Sequence, residues 1–203
     1  MEFIFQILIL IMSIVIHEVS HGYAASMLGD QTARYLGRLT LNPLKHLDFF
    51  GSFLIPAISY LLGGFIIGWA KPVPYNPYNL RPGRWSEAIV AGAGPLSNIG
   101  IALLFGLLLR SGGSAGWANI GFIQIVTLIV FINLILAIFN LMPIPPLDGS
   151  KLLFALFPER LLNFRTFFER YGLALIIFFI FFLWQFIFPI AIFAFRLITG
   201  FNP

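Results

Sequence analysis

Long apolar stretches with almost no charge constrain this chain more than any other feature. They cover residues 3–27, 86–109, 119–141 and 171–197, and a helix of about 20 such residues matches the thickness of a bilayer core. Of the 203 residues, 59% are hydrophobic and 10% are charged, whereas a soluble domain carries about 25% charged residues. The mean hydropathy is +0.93. These stretches predict an all-α polytopic membrane protein and exclude nucleic-acid-binding proteins and soluble enzymes.

A further apolar segment, residues 51–68, differs from the others because it contains Pro56 and the pair Gly63-Gly64. If it spans fully, the two membrane faces receive seven and five Lys and Arg residues. If it enters and leaves on one side, the counts become ten and two, which the positive-inside rule prefers. We therefore predict about four full transmembrane helices plus a re-entrant hydrophobic hairpin, joined by short extended loops.

The connecting segments and the remaining composition add three expectations. Residues 29–50 have the turn and β-branched residues of short strands or an extended loop, and the proline-rich residues 69–82 should be extended. The absence of cysteine excludes disulfides and thiolate ligands. No basic residue precedes the first apolar run, so we interpret it as a retained helix.

His17, Glu18 and His21 form an H-E-x-x-H sequence, HEVSH, inside the first apolar stretch. On a helix, this spacing puts both imidazoles on one face, a turn apart, where their nitrogens can converge on one ion. Glu18 lies beside the first histidine, where it can take a proton from an attacking water. Three polar groups in hydrocarbon are costly and need a reason. The motif predicts a hydrolytic zinc site, with both histidines as ligands and Glu18 as general base.

Such a site needs a third protein ligand, for which the chain offers eight acidic residues and His46. Most acidic residues stand beside loop cations, which favours a surface role. Asp148 instead follows the proline-rich NLMPIPPL, where we expect irregular backbone, a turn-stabilising Asp-Gly being the alternative. The re-entrant topology brings Asp148 to the same side as His17 and His21. We predict Asp148 as the third ligand and treat His46 as either a site-lining or a loop residue.

Other polar and small residues in the apolar stretches have simpler interpretations. Asn98 is expected to pack helices through hydrogen bonds. Gly92 and Gly94 are expected to permit close helix approach rather than to bind phosphate. No internal repeat or second domain is visible.

Several motifs together carry a resemblance to a known family. HEVSH, AGAGPLSN and NLMPIPPLDG resemble the site-2 protease family of intramembrane zinc metalloproteases over nearly the whole chain. GRLTLNPLKHLD and GWAKPVPYNP further resemble its minimal prokaryotic subgroup, which has no PDZ or CBS domain. The resemblance implies one zinc per chain on His17, His21 and Asp148, with Glu18 as general base. It also implies that Asn140 holds the substrate or the oxyanion.

The function that the resemblance implies is intramembrane zinc endopeptidase activity by a single membrane-embedded domain, residues 1–203. The partners would be transmembrane protein substrates and the lipid bilayer, without nucleic acid. The active site would face the cytoplasmic side of a prokaryotic cell membrane.

The rival interpretation is a non-hydrolytic metal-binding membrane protein or a transporter, because intramembrane His and Asp also mark ion paths. A transporter usually shows internal repeats and several ionisable groups along a path. Here no repeat is visible and the ionisable groups gather at one site. A catalytically silent scaffold would be expected to have lost Glu18. The protease interpretation is therefore favoured.

Overall fold

The computed structural model describes residues 2–48, 50–54, 58, 61, 71–116, 119–157, 162–182 and 184–202. Within these ranges the regular structure is helical, and no strand is present, as the all-α prediction requires. The α-helices, numbered here in chain order, are α1 (Glu2–Met27), α2 (Thr32–Tyr35), α3 (Ser86–Ala115), α4 (Ile120–Asn140), α5 (Asp148–Leu156), α6 (Leu162–Phe182) and α7 (Trp184–Thr199).

The loops differ partly from expectation. Short strands were one of two expectations for residues 29–50. The described part of that segment instead contains α2 and a 3-10 turn over Pro43–Lys45. Residues 71–76 have no regular structure, as expected for the proline-rich segment, and a 3-10 turn over Pro77–Asn79 follows. Helix α3 extends past residue 109 and continues through the glycines and serines to Ala115. It ends at Gly116, which adopts the left-handed conformation (φ 72°) common after the last residue of a helix.

Among the residues that the structure describes, three helices are long and apolar enough to cross a membrane: Ile4–Met27, Ser86–Gly113 and Ile120–Asn140. The chain is therefore a multi-pass membrane protein. In the final apolar stretch the structure describes α6 up to Phe182 and α7 from Trp184, and residue 183 lies outside the described residues. The predicted count of four full spans is therefore not confirmed by the described part of the chain.

The spanning helices expose large apolar side chains and bury several polar ones, an arrangement expected where lipid is the solvent. Large side chains such as Leu8, Leu104 and Ile120 are 53%, 60% and 76% exposed. The buried polar residues of these helices instead point into the bundle; they are Ser13, His17, His21, Ser86, Asn98 and Asn133. Because lipid cannot satisfy polar groups, these residues locate the functional interior of the molecule.

Helix α3 lies at the centre and packs against α1, α4, α5 and α7. The buried cluster formed where α3, α4 and α7 meet consists of Ala102, Leu109, Val126, Val130, Leu134 and Phe195. At Gly106 a Cβ would lie 2.5 Å from Cγ2 of Ile198 on α7, so the close crossing of these helices requires glycine. This core fixes α3 against α4 and α7, and α3 also packs against α1, which carries the HEVSH sequence.

The re-entrant hairpin predicted over residues 51–68 lies mostly outside the described residues, of which Phe50–Leu54 form a π-helical turn. Its two flanks, however, are in contact. The Lys71 amide donates to the His46 carbonyl at 2.8 Å, and the Arg38 guanidinium donates to the Lys71 carbonyl at 2.9 Å and also to the carbonyl of Lys45. Both flanks therefore lie on one face of the bundle, as the re-entrant topology requires.

Candidate metal centre

Three side chains that are far apart in sequence meet in the interior. His17 Nε2 and His21 Nε2, on one face of α1, are 3.0 Å apart. Oδ2 of Asp148, at the start of α5, lies 3.1 Å from the first and 3.2 Å from the second of these nitrogens. Both histidines are buried and Asp148 is nearly so. The structure thus brings together the three residues predicted as ligands.

The other nitrogen of each imidazole determines which tautomer is present. His21 Nδ1 lies 2.7 Å from the Val90 carbonyl, which can only accept a hydrogen bond. His17 Nδ1 lies 2.6 Å from Oδ1 of Asn98, which is likewise an acceptor. Both Nδ1 atoms therefore carry the proton, so both Nε2 lone pairs are directed towards Asp148. Metal-ligating histidines are commonly oriented in this way.

This donor set fits a zinc ion. Tetrahedral coordination at bond lengths of about 2.0–2.1 Å separates the ligand atoms by roughly 3.3 Å, close to the distances of 3.0–3.2 Å found here. A carboxylate oxygen and two nitrogen lone pairs so close together repel one another unless a cation lies among them. Three protein ligands also leave a fourth position open for a substrate or water, as in hydrolytic zinc sites.

Gly94 of α3 keeps the space in front of the two histidines open. A Cβ at this position would lie 2.6 Å from His17 Nε2 and closer still to His21 Nε2. A side chain here would therefore occupy the volume that both lone pairs face. The expectation that Gly94 permits close approach is confirmed, and the groups approached are the imidazoles themselves.

The proline-rich residues before Asp148 have no regular secondary structure, as expected, and Asp148 itself is the first residue of α5. The preceding residues form a compact turn in which the Ile144 amide donates to the Met142 carbonyl at 2.8 Å and the Leu147 amide donates to Ile144 at 2.9 Å. A Cβ at Gly149 would overlap the Leu141 carbonyl. Glycine after the aspartate thus lets α5 fold back against the end of α4 and aim the carboxylate at α1.

Glu18 is half-buried, one residue along α1 from His17. Its Oε2 accepts a hydrogen bond of 2.9 Å from the Val73 amide. Pro72 and Pro74, on either side of Val73, have no amide hydrogen. The N–H of Val73 is therefore the single one in the Pro-Val-Pro run, and it is the one that fixes the Glu18 carboxylate. The remaining carboxylate oxygen is then available to act on a proton.

Residues 71–76, which we call the proline strap, connect several parts of the centre. Val73 is buried and packs on α1 at Gly22, where a Cβ would lie 2.7 Å from Val73 Cγ1. Tyr75 accepts a hydrogen bond of 2.8 Å from Lys151 on α5. The Asn76 amide donates to Oδ2 of Asp30 at 2.8 Å. The strap therefore links the end of α1 to the helix that bears Asp148.

Asp30 anchors the far end of the strap, outside the membrane-spanning part of α1. It is fully buried and accepts hydrogen bonds from the Thr32 amide and hydroxyl, the Asn76 amide and the Asn79 side chain. Burial alone would raise the pKa of Asp30, but the hydrogen bonds from Thr32, Asn79 and Asn76 outweigh it and lower the pKa below its ordinary value. Asp30 is thus held as a carboxylate.

Two other predicted candidates lie apart from these contacts. The Asn140 amide donates to the Leu136 carbonyl of its own helix at 2.9 Å, and no hydrogen bond to the three ligands is found for it in the described part of the chain. Its substrate role stays a prediction. His46 is buried in the loop that flanks the strap, where its Nε2 lies 2.8 Å from the Thr40 carbonyl, which favours the loop interpretation.

The fold and this centre together define a multi-pass membrane protein with a buried His-His-Asp metal site. The sequence model of peptidase family M50 matches residues 5–116 and 110–183. The chain therefore belongs to this family, the site-2 proteases, and is a zinc metalloprotease. The family, enzyme class and metal predicted from the motifs are confirmed.

The chain is also similar to individual proteins that are named as zinc metalloproteases. YwhC of Bacillus subtilis (strain 168) is 39% identical over 173 residues, which cover 83% of this chain and 76% of YwhC. MJ0611 of Methanocaldococcus jannaschii is 32% identical over 163 residues, covering 73% of this chain and 72% of MJ0611. Rip2 of Mycolicibacterium smegmatis is 34% identical over 146 residues, covering 68% of this chain and 52% of Rip2. All three bear names that class them as zinc metalloproteases. No solved structure matches the chain.

Proposed function

We propose that this chain is an intramembrane endopeptidase that hydrolyses peptide bonds within or near the transmembrane segments of other membrane proteins. The observation that carries the proposal is the position of the donor set. His17 and His21 lie within the spanning part of α1, Ile4–Met27, and Asp148 reaches them from α5. A substrate bond cut at this centre must therefore enter the helix bundle at the level of the membrane-spanning segments.

The chemistry divides between the metal and this chain's own residues. When bound, zinc supplies the Lewis acidity that activates water and polarises a scissile carbonyl. His17, His21 and Asp148 would hold the ion. Glu18, fixed by Val73 N–H, would accept the proton of the attacking water on its remaining oxygen and later deliver it to the leaving amine.

The site imposes a condition on the substrate. Inside a helix, each peptide carbonyl accepts a hydrogen bond from the N–H four residues later in the chain and is surrounded by side chains. A transmembrane substrate must therefore unwind locally before its carbonyl can be attacked. Asn140, at the end of α4, is a proposed contact for the unwound segment or the oxyanion. The cation-rich loops lie on the face of the bundle where α1 ends, which supports a centre nearer the cytoplasmic side.

The test uses the full chain in vesicles of phosphatidylethanolamine and phosphatidylglycerol, together with a panel of single transmembrane segments tagged at both ends. We expect fragments whose masses place the cut within or next to the spanning residues. Glu18→Gln should reduce the rate by about 10²–10⁴, the usual contribution of general acid–base catalysis, and should retain zinc. Asp148→Ala should lose zinc as well as activity.

The matched control is Glu87→Gln, which changes a carboxylate in the first turn of α3 that lies outside the donor set. It should retain both zinc and activity. Cuts confined to soluble loops would contradict intramembrane cleavage, substantial activity in Glu18→Gln would contradict the general-base role, and full zinc content in Asp148→Ala would contradict the third ligand.

A further inference from the structure

We propose that Asn98 is a positioning residue for the metal centre, and that Asn133 and Ser13 hold its amide in the one orientation that prepares His17 to bind an ion. This inference rests on the zinc site of the proposed function. It assigns a role to three buried polar residues, one from each of the membrane-spanning helices α3, α4 and α1. None of them is itself a candidate ligand.

The three side chains form a continuous hydrogen-bonded chain that ends on a ligand. Oδ1 of Asn98 lies 2.6 Å from His17 Nδ1. Nδ2 of Asn98 donates to Oδ1 of Asn133 at 2.8 Å and to the Ser13 carbonyl at 3.4 Å. Nδ2 of Asn133 donates to Ser13 Oγ at 2.9 Å and to the Ile129 carbonyl at 2.8 Å. Asn98 and Asn133 are fully buried and Ser13 is 4% exposed.

The direction of these hydrogen bonds is what links Asn98, Asn133 and Ser13 to metal binding. Two of the acceptors, the carbonyls of Ser13 and Ile129, belong to the backbone and cannot reverse. If Asn98 flipped, its oxygen would face Oδ1 of Asn133 and the Ser13 carbonyl, and its NH₂ group would face His17. His17 would then have to accept at Nδ1, which places its proton on Nε2, the atom directed at Asp148. A proton on Nε2 blocks coordination there.

The two histidines thus obtain the same tautomer by different means. His21 donates to the Val90 carbonyl, a backbone group of α3 that no substitution removes. His17 depends on a side-chain amide, whose orientation in turn depends on α1 and α4. A packing role alone would need hydrogen bonds between the helices but would not need the acceptor end of Asn98 to face the ligand.

The test measures zinc affinity, which needs no substrate. The full chain is purified in detergent, and zinc is titrated in competition with a chromophoric chelator; Co²⁺ loaded in place of zinc reports ligand geometry by its visible spectrum. Asn98→Leu removes the acceptor and should weaken zinc binding about 10- to 100-fold, the usual loss for a residue that orients a ligand, and should alter the Co²⁺ spectrum. Asn98→Asp keeps an acceptor towards His17, and in this buried site its other oxygen is expected to be protonated and to donate to Asn133 in place of Nδ2. It should therefore recover most of the affinity.

Two further variants separate positioning from folding. Thr199→Val removes a hydroxyl that is equally buried in α7 and bonded to the Phe195 carbonyl, far from the centre, and should leave zinc affinity unchanged. Asn133→Leu retains Asn98 but removes the partner that fixes its amide, so affinity should fall several-fold. This variant decides the question if Asn98→Leu does not fold.

The outcomes are distinct. Wild-type zinc affinity in folded Asn98→Leu, or in Asn133→Leu when the first variant does not fold, would overturn the inference and leave the proposed function intact. Equal losses in Asn98→Leu and Asn98→Asp would also overturn it, because the acceptor would then be irrelevant. A wild-type chain that binds no zinc would contradict both this inference and the proposed function.

Discussion

At the scale of single residues, Gly94 decides whether the centre has room for an ion. Gly94→Ala would place a Cβ 2.6 Å from His17 Nε2, in the space that both imidazoles face. We expect this variant to lose bound zinc and about 1–3 kcal/mol of stability through overpacking. Metal analysis and thermal unfolding of the purified protein measure the two effects.

Gly100→Ala provides the control for Gly94→Ala, because it lies on the same helix and its Cβ would meet nothing within 4 Å. It should keep zinc and be as stable as the wild type or slightly more so, since alanine favours the helix. Equal zinc content in the two variants would show that the space in front of the histidines is not needed.

Asp30 makes the stability of the chain dependent on pH. Its pKa is lower in the folded state than in the unfolded chain, so its contribution is fully present above its ordinary pKa of about 3.9 and is lost as pH falls through the lower folded value. Asp30→Asn replaces an acceptor by a donor opposite donating groups, and should cost about 1–3 kcal/mol at neutral pH. Its midpoint of unfolding should decline less than that of the wild type when pH falls below 4. A parallel decline would show that Asp30 does not stabilise the fold in this way.

The three residues that meet in the candidate metal centre could be predicted from sequence, but the amides bonded to His17 could not. HEVSH and the Asp-Gly after the prolines are local patterns whose chemistry is readable without a structure. Asn98 and Asn133 are single amides in apolar helices, and only the packing of three helices reveals that they meet at His17. One signal was available: Ser13 precedes His17 by four residues, so it shares the face of α1 that bears both histidines.

At the scale of elements, the proline strap determines how Glu18 is presented. Val73→Pro would remove the N–H that holds Oε2 of Glu18. A hydrogen bond to a charged group is worth about 1.5–3 kcal/mol, so we expect cleavage to slow about 10- to 100-fold with zinc content unchanged. The vesicle assay and metal analysis together test this.

Val73→Ala separates the amide from the side chain at that position. It retains the N–H but removes the methyl groups that pack on Gly22. We expect it to lower stability while slowing cleavage less than Val73→Pro does. If the alanine variant is the slower of the two, the packing of the strap matters and its hydrogen bond to Glu18 does not.

Element boundaries were harder to predict than the elements themselves. Hydropathy reveals the length of an apolar run but not where a helix within it stops. The apolar stretch expected over residues 86–109 therefore continues as α3 to Ala115. The proline strap was predicted correctly, because proline restricts its own backbone and that of the preceding residue regardless of tertiary context.

At the scale of the whole molecule, the contact between His46 and Lys71 gives a topology that labelling can check. The chain has no cysteine, so single cysteines can be introduced without background. Tyr35 and Tyr78 are 83% and 97% exposed on the face where α1 ends, whereas Asn202 follows α7 at the opposite end. In intact cells, a membrane-impermeant maleimide should label Asn202→Cys and leave Tyr35→Cys and Tyr78→Cys unlabelled.

The alternative topology gives a different pattern in the same labelling experiment. If residues 51–68 crossed the membrane fully, Tyr35→Cys and Asn202→Cys would react together and Tyr78→Cys would not. The count of ten against two cations predicted the re-entrant arrangement without any structure, because charge bias acts on loops and not on the packing of helices. Which faces of the spanning helices meet, by contrast, depends on side-chain fit across the bundle and was not predictable.

The distance along the chain between His17 and Asp148 has a consequence for synthesis. The two residues are 131 positions apart, and the chain is made and inserted from its N-terminus. The first helix therefore enters the membrane with its histidines lacking both Asp148 and the amide of Asn98. The metal centre is completed only after residue 148 has left the ribosome and α3 and α4 are in place. Under the proposed function, a nascent chain is therefore inactive towards its neighbours in the membrane until this centre is complete.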